Sequence, residues 1–598
     1  MNGLGASLHD GSVTFRVWAP RCRSVEAVIE GRPTQALWRG DDGVYSLTLP
    51  RLGAGTRYQY RLDGERYRPD PVSRWQPEGV HGPSAVVDPT AFNWTDGDFP
   101  GHARADLVFY ELHVGTFTAA GTFEAIIPYL EPLADLGVTA IELMPVAEFP
   151  GSRNWGYDGV HLFAPQSTYG GPRGLRRLVD ACHGRGLSVV LDVVYNHLGP
   201  EGNYLAEFGP YFTERYETPW GPAVNFDGSD SAPVRRHFVE NARYWVREFH
   251  IDGLRLDAIH SIFDSSRLHI LTEIAEAARA EAARRGRPVH LIAESHDNDR
   301  KIVLPADQGG LGLDAMWSDD FHHAVHAHLT GERVGYYGDF GDPRQLARAL
   351  AEGFAVQGEY SEYFGRPRGT PSADLPGDHF VICIQDHDQV GNRAQGERLT
   401  AILPFEAVKL AAGLMFAAPA LPLLFMGEEY GETAPFQFFT SFLDRELAAA
   451  VRRGRTAEFS RFAWQGAVPD PGDPATFVRS RVNHALATAP RHRVLREYYR
   501  AWLALRRTHP ALGAGHKGLA QASLEPAHAV LSLIRSAPNG ETIRVVANLT
   551  GERQPFAPGP SWRLLLDSAD ARFGGASSPG RVPARLGAFQ VLVYEQAR

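Results

Sequence analysis

The stretch GLRLDAIH (253–260) sets an arginine and an aspartate two residues apart within an otherwise apolar run. In a β-strand, residues i and i+2 point to the same face of the sheet, so Arg255 and Asp257 would look in the same direction. A single Arg-x-Asp is as readily a structural ion pair as part of a functional site. The segments before and after this stretch decide between the two, because they fix the fold to which it belongs.

Short apolar segments alternate with helical stretches from about residue 106 onwards, which is the pattern of parallel βαβ units. Eight such strand–helix repeats predict a (β/α)₈ TIM barrel over residues 106–510, an α/β fold. A long aromatic and Gly/Pro-rich insertion, 198–231, follows the third strand, and loops of this length are usually functional. The eight strands are predicted at 107–114, 140–145, 188–194, 253–258, 290–294, 314–318, 379–385 and 422–427.

Segments of purely β character flank the barrel. Residues 1–95 contain short alternating strands such as VTFRVWAP and RYQYRLDG, broken by Gly, Pro and Asp, and these predict an N-terminal β-sandwich. Residues 515–598 contain AVLSLIRSA and ETIRVVANL on either side of PNG, a strong hairpin turn. This end of the chain is therefore predicted to form a C-terminal antiparallel β-domain.

Composition argues against several classes of function. A net charge of −10 on 598 residues disfavours nucleic acid or an anionic membrane as the main partner. The longest apolar run, LAAGLMFAAPALPLLFM (410–426), carries two prolines and is too short to span a bilayer. Three widely spaced cysteines give no disulfide or metal pattern, and the N-terminal residues lack a signal-peptide pattern. We therefore expect a cytoplasmic protein.

Acidic residues collect where four of the predicted strands end. Catalytic residues of a TIM barrel lie at the C-terminal ends of its strands, so these acids should converge on one rim. Each buried charge is costly unless it is paired, which makes a purely structural explanation poor. A metal cage is an alternative, but the arginine and the two histidines nearby suit anionic catalysis better. The stretches are LDVVYNH (191–197) with Asp192, GLRLDAIH with Asp257, LIAESH (291–296) with Glu294, and ICIQDHDQVGN (382–392) with Asp388.

In order and spacing, these four stretches resemble the four characteristic regions of the α-amylase family of glycoside hydrolases. The resemblance covers nearly the whole chain, including the N-terminal sandwich, which would be like a carbohydrate-binding module. It implies a retaining mechanism with Asp257 as the nucleophile and Glu294 as the general acid/base. Asp388 would be the third carboxylate, which binds sugar hydroxyls and stabilises the transition state.

The same resemblance implies roles in substrate binding for the residues around the three acids. Arg255 would hold Asp257 ionised and correctly aimed, with Asp192 behind it. The implied sugar contacts are Tyr157, in NWGYD, which would stack on the ring being cleaved, and the two histidines His197 and His387.

Within the family, the chain is most similar to hydrolases that release α,α-trehalose from maltooligosyltrehalose. The resemblance implies that maltooligosyltrehalose and related α-1,4-glucans are the substrates and that the bond next to the terminal trehalose is cleaved. The alternative is a 1,4-α-glucan branching enzyme, whose fourth region usually reads Ser-His-Asp-Glu where this chain has Asp386 to Gln389. A polysaccharide-binding protein acting through the sandwich is disfavoured by the complete acid trio. The similar stretches are GLRLDAIH with His260, MWSDDFHHAVH (316–326) and QDHDQVGNR (385–393).

Recognition of trehalose is predicted for the loops after strands six and seven, because sugar hydroxyls need many short polar donors and acceptors. His322 and His326, at helical i, i+4 spacing, also permit a zinc site, although no partner motif is present. Asn196 matches a calcium ligand of some amylases, but no complete oxygen cage can be assembled. We therefore expect no metal and no cofactor. The predicted recognition residues are Trp317, Asp319, Asp320, Phe321, His322, His323, Asp386 and Gln389.

Overall fold

Eight parallel strands, β1 to β8, close into a barrel in chain order in the computed structural model, which confirms the predicted TIM barrel. The structure describes residues 3–459, 468–525, 527, 529–557, 559, 561–577 and 583–597. Each barrel strand overlaps a predicted one. The strands are β1 Phe109–Leu112, β2 Ala140–Leu143, β3 Ser188–Val193, β4 Gly253–Leu256, β5 His290–Ala293, β6 Ala315–Trp317, β7 Phe380–Cys383 and β8 Leu421–Phe425.

Every residue of these eight strands is buried, which explains why they read as nearly continuous apolar runs rather than alternating ones. A few charged residues interrupt these apolar runs. Those on neighbouring strands lie opposite each other, because the parallel register pairs residues that share a face. Glu111 on β1 lies opposite Glu142 on β2, and Asp192 on β3 lies opposite Arg255 on β4. The barrel interior therefore holds charged side chains directly beneath the rim where the strands end.

Helices surround the barrel and supply the loops at its rim. The longest of them bury one face against the strands and end at residues such as Gly286, whose left-handed backbone suits glycine. The α-helices span Val114–Phe117, Phe123–Ile126, Leu130–Leu136, Gly171–His183, Leu205–Phe208, Ser231–Phe249, Ile270–Arg285, Asp319–Thr330, Pro343–Glu352, His387–Gly391, Leu399–Ile402, Phe405–Ala417, Arg445–Phe459, Pro474–Arg479 and Pro490–Thr508. Among the residues that the structure describes, no helix is long and apolar enough to cross a membrane.

The N-terminal segment forms two antiparallel sheets, which confirms the predicted β-sandwich. Phe15 on one sheet packs edge-on against Tyr58 on the other, with ring centroids 4.8 Å apart, so the alternating apolar residues meet between the sheets. One sheet contains Gly5–His9, Ser12–Trp18, Val44–Pro50 and Trp38–Arg39, and the other contains Gln35–Ala36, Val25–Ile29, Arg57–Leu62, Arg66–Arg68 and Ser84–Ala85.

The C-terminal segment forms a five-stranded antiparallel sheet, as predicted. It is fastened to the barrel helices by buried cations: Arg535 donates to the carbonyl of Ala417, and Lys409 donates to the carbonyl of Ser568. Its strands, in order across the sheet, are Ala520–Glu525, Val530–Ser536, Thr542–Asn548, Val591–Gln596 and Trp562–Asp567, and Gln554–Pro555 pairs with Arg585–Leu586 beside it.

Three short hairpins rise from the rim of the barrel. One lies within the predicted insertion after β3, and another within the long connection between β6 and β7. Because they stand at the C-terminal ends of the strands, they form the walls of the space above the acids. They are Ala147–Glu148 with His161–Pro165, Phe212–Thr218 with Gly221–Val224, and Tyr360–Ser361 with Arg366–Pro367.

Candidate active site

The three predicted catalytic acids lie at the ends of three strands, on the same rim. Asp257 directly follows β4, and Glu294 directly follows β5. Asp388 lies in the first turn of the short helix His387–Gly391, just after β7. The structure thus brings together the acids that the sequence places far apart.

Asp257 is held by donors on both carboxylate oxygens. Arg255 Nη1 donates to Oδ1 over 2.8 Å, and Asn196 Nδ2 donates to Oδ2 over 2.7 Å. Asn196 also donates to the backbone carbonyl of Asp257. These contacts fix the carboxylate in one orientation at the edge of the barrel, as a nucleophile must be fixed relative to the carbon that it attacks.

Arg255 is fully buried and ties the nucleophile to the barrel interior. Its Nη1 donates to Asp192 Oδ2 as well as to Asp257, over 2.8 Å each. Its guanidinium carbon lies 4.3 Å from the ring centroid of Trp317, in a cation–π contact. The ring of Trp317 is therefore occupied by its contact with Arg255. This corrects the expectation that Trp317 offers a stacking face to a sugar, because the ring is only 4% exposed.

Glu294 occupies a different environment from Asp257. The backbone N–H of Ala258 donates to its Oε2 over 2.5 Å, and Arg255 Nη2 lies 3.9 Å away. Burial raises the pKa of Glu294 to about 8; Arg255 opposes this rise, whereas the negative charges of Asp257 and Asp388 add to it. Glu294 is therefore mostly protonated at neutral pH, which is the state required of a general acid.

Asp388 faces the open space, with 44% of its side chain exposed. The helix that carries it is capped by Asp386, which accepts from the backbone N–H groups of Asp388 and Gln389. Asp386 is fully buried in this role and does not line the cleft beside Asp388, contrary to the sequence prediction that it contacts the sugar. Asn392 Nδ2, one turn later, lies 3.3 Å from Asp388 Oδ1.

Tyr157 and His387 lie side by side between Asp192 and Asp388. Their rings stack with centroids 5.3 Å apart, and the Tyr157 hydroxyl is 2.7 Å from both His387 Nε2 and Asp192 Oδ2. The other side of His387 contacts Glu111, a buried residue of β1. Sequence reasoning missed Glu111, although YELH ends the first predicted strand as the other acids end theirs.

A cleft of about 280 Å³ opens beside Glu294 and Asp388. Three predicted recognition residues line it: Asp319, His323 and Gln389. The other residues that line the cleft, apart from the two acids, were not predicted. Most of them come from the stretches GYYGDF and EYFGRPRG between β6 and β7. The aromatic composition of these stretches was the one feature of the sequence that could have indicated a binding surface. The lining residues that were not predicted are His296, Tyr336, Asp339, Phe340, Tyr363, Phe364, Arg368 and Asn392.

Three other predicted recognition residues point away from this cleft. Asp320 is fully buried and accepts hydrogen bonds from Arg368 and from the backbone N–H groups of Ala355 and Val356. Phe321 and His322 are also buried within the helix Asp319–Thr330. The helical period explains the difference, since successive residues face different directions and only some of them face the rim. These three residues support the cleft rather than line it.

The histidines of this helix do not form a metal site in the structure. His322 is hydrogen-bonded through Nδ1 to the carbonyl of Ile384 and through Nε2 to the hydroxyl of Tyr337. His326 is hydrogen-bonded through Nε2 to Glu332. Across the described residues, no group of three or more His, Cys, Asp or Glu side chains is arranged to hold a metal ion. The side-chain oxygen of Asn196, which resembled a calcium ligand, contacts the ring of His197 instead.

A second cavity, of about 590 Å³, lies beyond His197. Trp220, in the insertion hairpin, stacks on His197 with centroids 4.1 Å apart, and 49% of Trp220 is exposed. Phe438 and Phe442 also line this cavity. His260, the last residue of GLRLDAIH, lies instead against His296 of the first cleft, at a centroid distance of 3.9 Å. The rim therefore has open space both beside Glu294 and beside His197.

Known families match both the N-terminal and the barrel regions. Residues 3–89 match carbohydrate-binding module 48, the isoamylase N-terminal domain, and residues 87–218 match the α-amylase catalytic domain. Over its whole length, the chain superposes on the crystal structure of a putative α-amylase from Salmonella typhimurium with a TM-score of 0.91, 41% identity and full coverage of both chains. A pneumococcal glycogen-degrading protein, at 21% identity and a TM-score of 0.76, shares the fold.

Curated relatives narrow the family. The malto-oligosyltrehalose trehalohydrolase of Saccharolobus solfataricus is 48% identical over 80% of this chain and 83% of its own length. The enzyme of the same name from Arthrobacter ramosus is 46% identical over 83% and 87%. A 1,4-α-glucan branching enzyme from Corynebacterium jeikeium is only 28% identical, over 98% and 79%. The chain therefore belongs to the malto-oligosyltrehalose trehalohydrolases, within the α-amylase family of glycoside hydrolases.

Proposed function

We propose that this protein is a retaining glycoside hydrolase that cleaves the α-1,4 bond next to the terminal trehalose of maltooligosyltrehalose and releases α,α-trehalose. The contrast between two carboxyl groups carries the proposal. The carboxylate of Asp257 accepts hydrogen bonds from Arg255 and Asn196, whereas burial raises the pKa of Glu294 to about 8. Double displacement needs one ionised carboxylate and one protonated acid side by side, and we assign these roles to Asp257 and Glu294, which directly follow β4 and β5.

In the first step, Asp257 attacks the anomeric carbon of the sugar ring, and Glu294 gives its proton to the glycosidic oxygen. The contact from Ala258 occupies Oε2 of Glu294, which leaves the proton on Oε1, free to face the leaving group. Asp388, which is half exposed at the same rim, binds hydroxyls of the distorted ring in this proposal. Trehalose leaves, and a covalent glycosyl-enzyme remains.

In the second step, water enters from the side that trehalose has left. Glu294, now ionised, takes a proton from this water, which attacks the anomeric carbon and releases Asp257. Two inversions restore the original configuration. The released maltooligosaccharide therefore carries an α-configured reducing end.

The cleft beside Glu294 is the proposed site of the trehalose unit. It combines the aromatic rings of Tyr336, Tyr363 and Phe364 with polar groups such as Asp319 and Arg368. Rings pack on the faces of sugars, and the polar groups pair their hydroxyls. The cavity beyond His197, with Trp220 exposed on its wall, is the proposed site of the maltooligosyl chain.

A product analysis tests the proposal. Incubation with maltooligosyltrehalose should yield free trehalose and a maltooligosaccharide shortened by that unit, as resolved by anion-exchange chromatography. Amylose stained with iodine is the parallel substrate. A gain of α-1,6 branch points without free trehalose would instead identify a branching enzyme.

We also propose a cytoplasmic location, since all three cysteines are free thiols in the interior, as suits a reducing compartment.

A further inference from the structure

We propose that Glu111 is a positioning residue that keeps His387 doubly protonated and thereby orders a chain of hydrogen bonds that reaches the nucleophile. This inference rests on the proposed function for its consequence in catalysis, but its central claim concerns a protonation state that can be measured without substrate. Glu111 touches neither the cleft nor Asp257, so it would act only through His387.

Both carboxylate oxygens of Glu111 contact His387. Its Oε2 accepts from the backbone N–H of His387 over 3.0 Å, and its Oε1 contacts the ring Nδ1. Glu111 is 1% exposed and His387 is fully buried, so water does not compete for either contact. The acid of β1 therefore fixes both the backbone and the ring of the residue next to Asp388.

The chain of contacts continues from His387 to the nucleophile. The Tyr157 hydroxyl is 2.7 Å from His387 Nε2 and 2.7 Å from Asp192 Oδ2. Arg255 Nη1 then joins Asp192 to Asp257. Five barrel strands or the loops that follow them, those of β1, β2, β3, β4 and β7, are thus connected in one network.

Burial raises the pKa of Asp192 to about 7, so this carboxyl is ionised at pH 8, and counting protons then decides the state of His387 at that pH. The Tyr157 hydroxyl has one proton, and its two close neighbours are Asp192, an acceptor when ionised, and His387 Nε2. If Nε2 were unprotonated, two acceptors would compete for that proton. If both ring nitrogens carry protons, Nδ1–H donates to Glu111, Nε2–H donates to Tyr157, and Tyr157 donates to Asp192. Every contact is then satisfied.

The electrostatic surroundings agree with this count. Burial alone would lower the pKa of His387, but the negative charges of Asp388 and Glu111 raise it to about 10. Burial also raises the pKa of Glu142 well above its ordinary value, so this neighbouring acid is neutral. The titratable groups that face His387 are Glu111 from β1, His113 just after it, Glu142 from β2, Tyr157 from the following loop, Asp192 from β3, and Asp386 and Asp388 from its own segment.

The charged ring has a direct link to the reaction. His387 Nε2 lies 3.5 Å from Oδ1 of Asp388, the third proposed catalytic acid. A cation there holds the Asp388 carboxylate at the rim, while Tyr157 keeps Asp192 against Arg255. Without Glu111, the ring would lose the partner that fixes its Nδ1 proton. Both Asp388 and the Arg255 network would then be aimed less well.

Glu111→Gln tests this with Glu142→Gln as a matched control. The two positions lie opposite each other on β1 and β2, and both changes turn a buried acid into its amide. The amide at 111 can accept from the backbone N–H of His387 only by turning its NH₂ group toward Nδ1, which forces the ring into the neutral Nε2–H form. Glu142 is already neutral, and neither of its oxygens has a hydrogen-bond partner, so its amide should change nothing at His387.

The readout is the ¹⁵N spectrum of histidine side chains at pH 8, in which the signal of His387 is identified by its loss in His387→Gln. We expect both nitrogens protonated in the wild type and in Glu142→Gln, and one in Glu111→Gln. We also expect kcat/KM to fall about tenfold to a hundredfold in Glu111→Gln, as for other residues that orient a functional side chain. Glu111→Asp, which keeps the negative charge, should retain the double protonation.

Singly protonated His387 in the wild-type protein at pH 8 would overturn the inference, and this measurement needs no folded variant at position 111. Double protonation that persists in Glu111→Gln would overturn it too. Failure of the wild type to release trehalose would count against the proposed function alone, because the spectrum does not depend on substrate.

Discussion

Ala258 donates its backbone N–H to Oε2 of Glu294 over 2.5 Å, although Ala258 itself directly follows Asp257. To do so, it adopts the left-handed region, at φ 39° and ψ 53°. A residue with a Cβ pays on the order of 1 kcal/mol there, and such costs are usually found at functional sites. One peptide unit thus fixes the distance between the two carboxyl groups on which the proposed reaction depends.

Replacing Glu294 with Gln should abolish most activity. The amide has nearly the same shape but has no acidic proton to give to the glycosidic oxygen, so kcat should fall by about 10²- to 10⁴-fold. Trehalose release measures the loss, and circular dichroism checks that the fold is kept. A folded variant that keeps more than about a tenth of wild-type kcat would contradict the assignment of Glu294 as the acid.

The pH profile should follow the ionisation of Glu294. Its pKa is raised by burial to about 8, and the acid form is needed in the first step. The kcat/KM of the wild type should therefore be steady near neutral pH and fall as the pH rises through about 8. Initial rates of trehalose release from pH 6 to pH 10 measure this limb. A rate that keeps rising up to pH 10 would exclude Glu294 as the acid in the free enzyme.

Glu294 should also make stability depend on pH, with a definite sign. Its pKa in the folded protein, about 8, lies above the ordinary value of 4.5, so the folded state holds the proton more tightly. The stabilisation of the folded state by this tighter proton binding is fully present below pH 4.5 and is lost as the pH rises through 8. Glu294→Gln removes this dependence. Between pH 5 and pH 9, the free energy of unfolding of the wild type should therefore fall by a few kcal/mol, as an order of magnitude, relative to that of the variant.

Denaturant unfolding of both proteins at these two pH values measures the difference. The comparison with the variant cancels the other titrating groups. Equal changes in the two proteins would mean that Glu294 titrates normally in the folded state, and the environment described for it would then be wrong.

Retention of configuration is expected if Asp257 is a covalent nucleophile. The first maltooligosaccharide formed should carry an α-configured reducing end, which then mutarotates. Proton NMR of the anomeric region in the first minutes of reaction separates the two anomers. The appearance of the β-anomer first would mean that water, rather than Asp257, attacks the ring.

The sequence predicted the barrel well because its strands are buried on both faces and read as apolar runs, of which GLRL before Asp257 is one. It also placed Asp257, Glu294 and Asp388 on the rim, since each follows such a run. It could not tell that Trp317 would pack on Arg255, because the two residues lie on different strands, far apart in the sequence. Tyr336 and Arg368 were missed, because they lie in a connection without periodic pattern that folds back over the cleft.

Specificity for trehalose is expected to depend on His323, with His326 as the control one helical turn away. His323 lines the cleft, packs against Tyr336 at a centroid distance of 4.7 Å, and has its pKa lowered well below the usual value by burial. It is therefore a neutral ring that can both donate to and accept from a sugar hydroxyl. His326 stacks on Tyr337 behind the cleft and does not line it.

His323→Ala should lower kcat/KM for maltooligosyltrehalose by about tenfold or more relative to plain maltooligosaccharide, because a site built to pair hydroxyls loses discrimination when a partner is removed. His326→Ala should leave this ratio unchanged. Asp320→Ala should instead lower stability, since it leaves Arg368 buried without its carboxylate, at a cost of about 3–5 kcal/mol. The three variants separate contact with the sugar from support of the wall. If His323→Ala reduces both substrates equally, trehalose is recognised by other residues of the cleft, and the aromatic rings of Tyr336 and Phe364 are the next to replace.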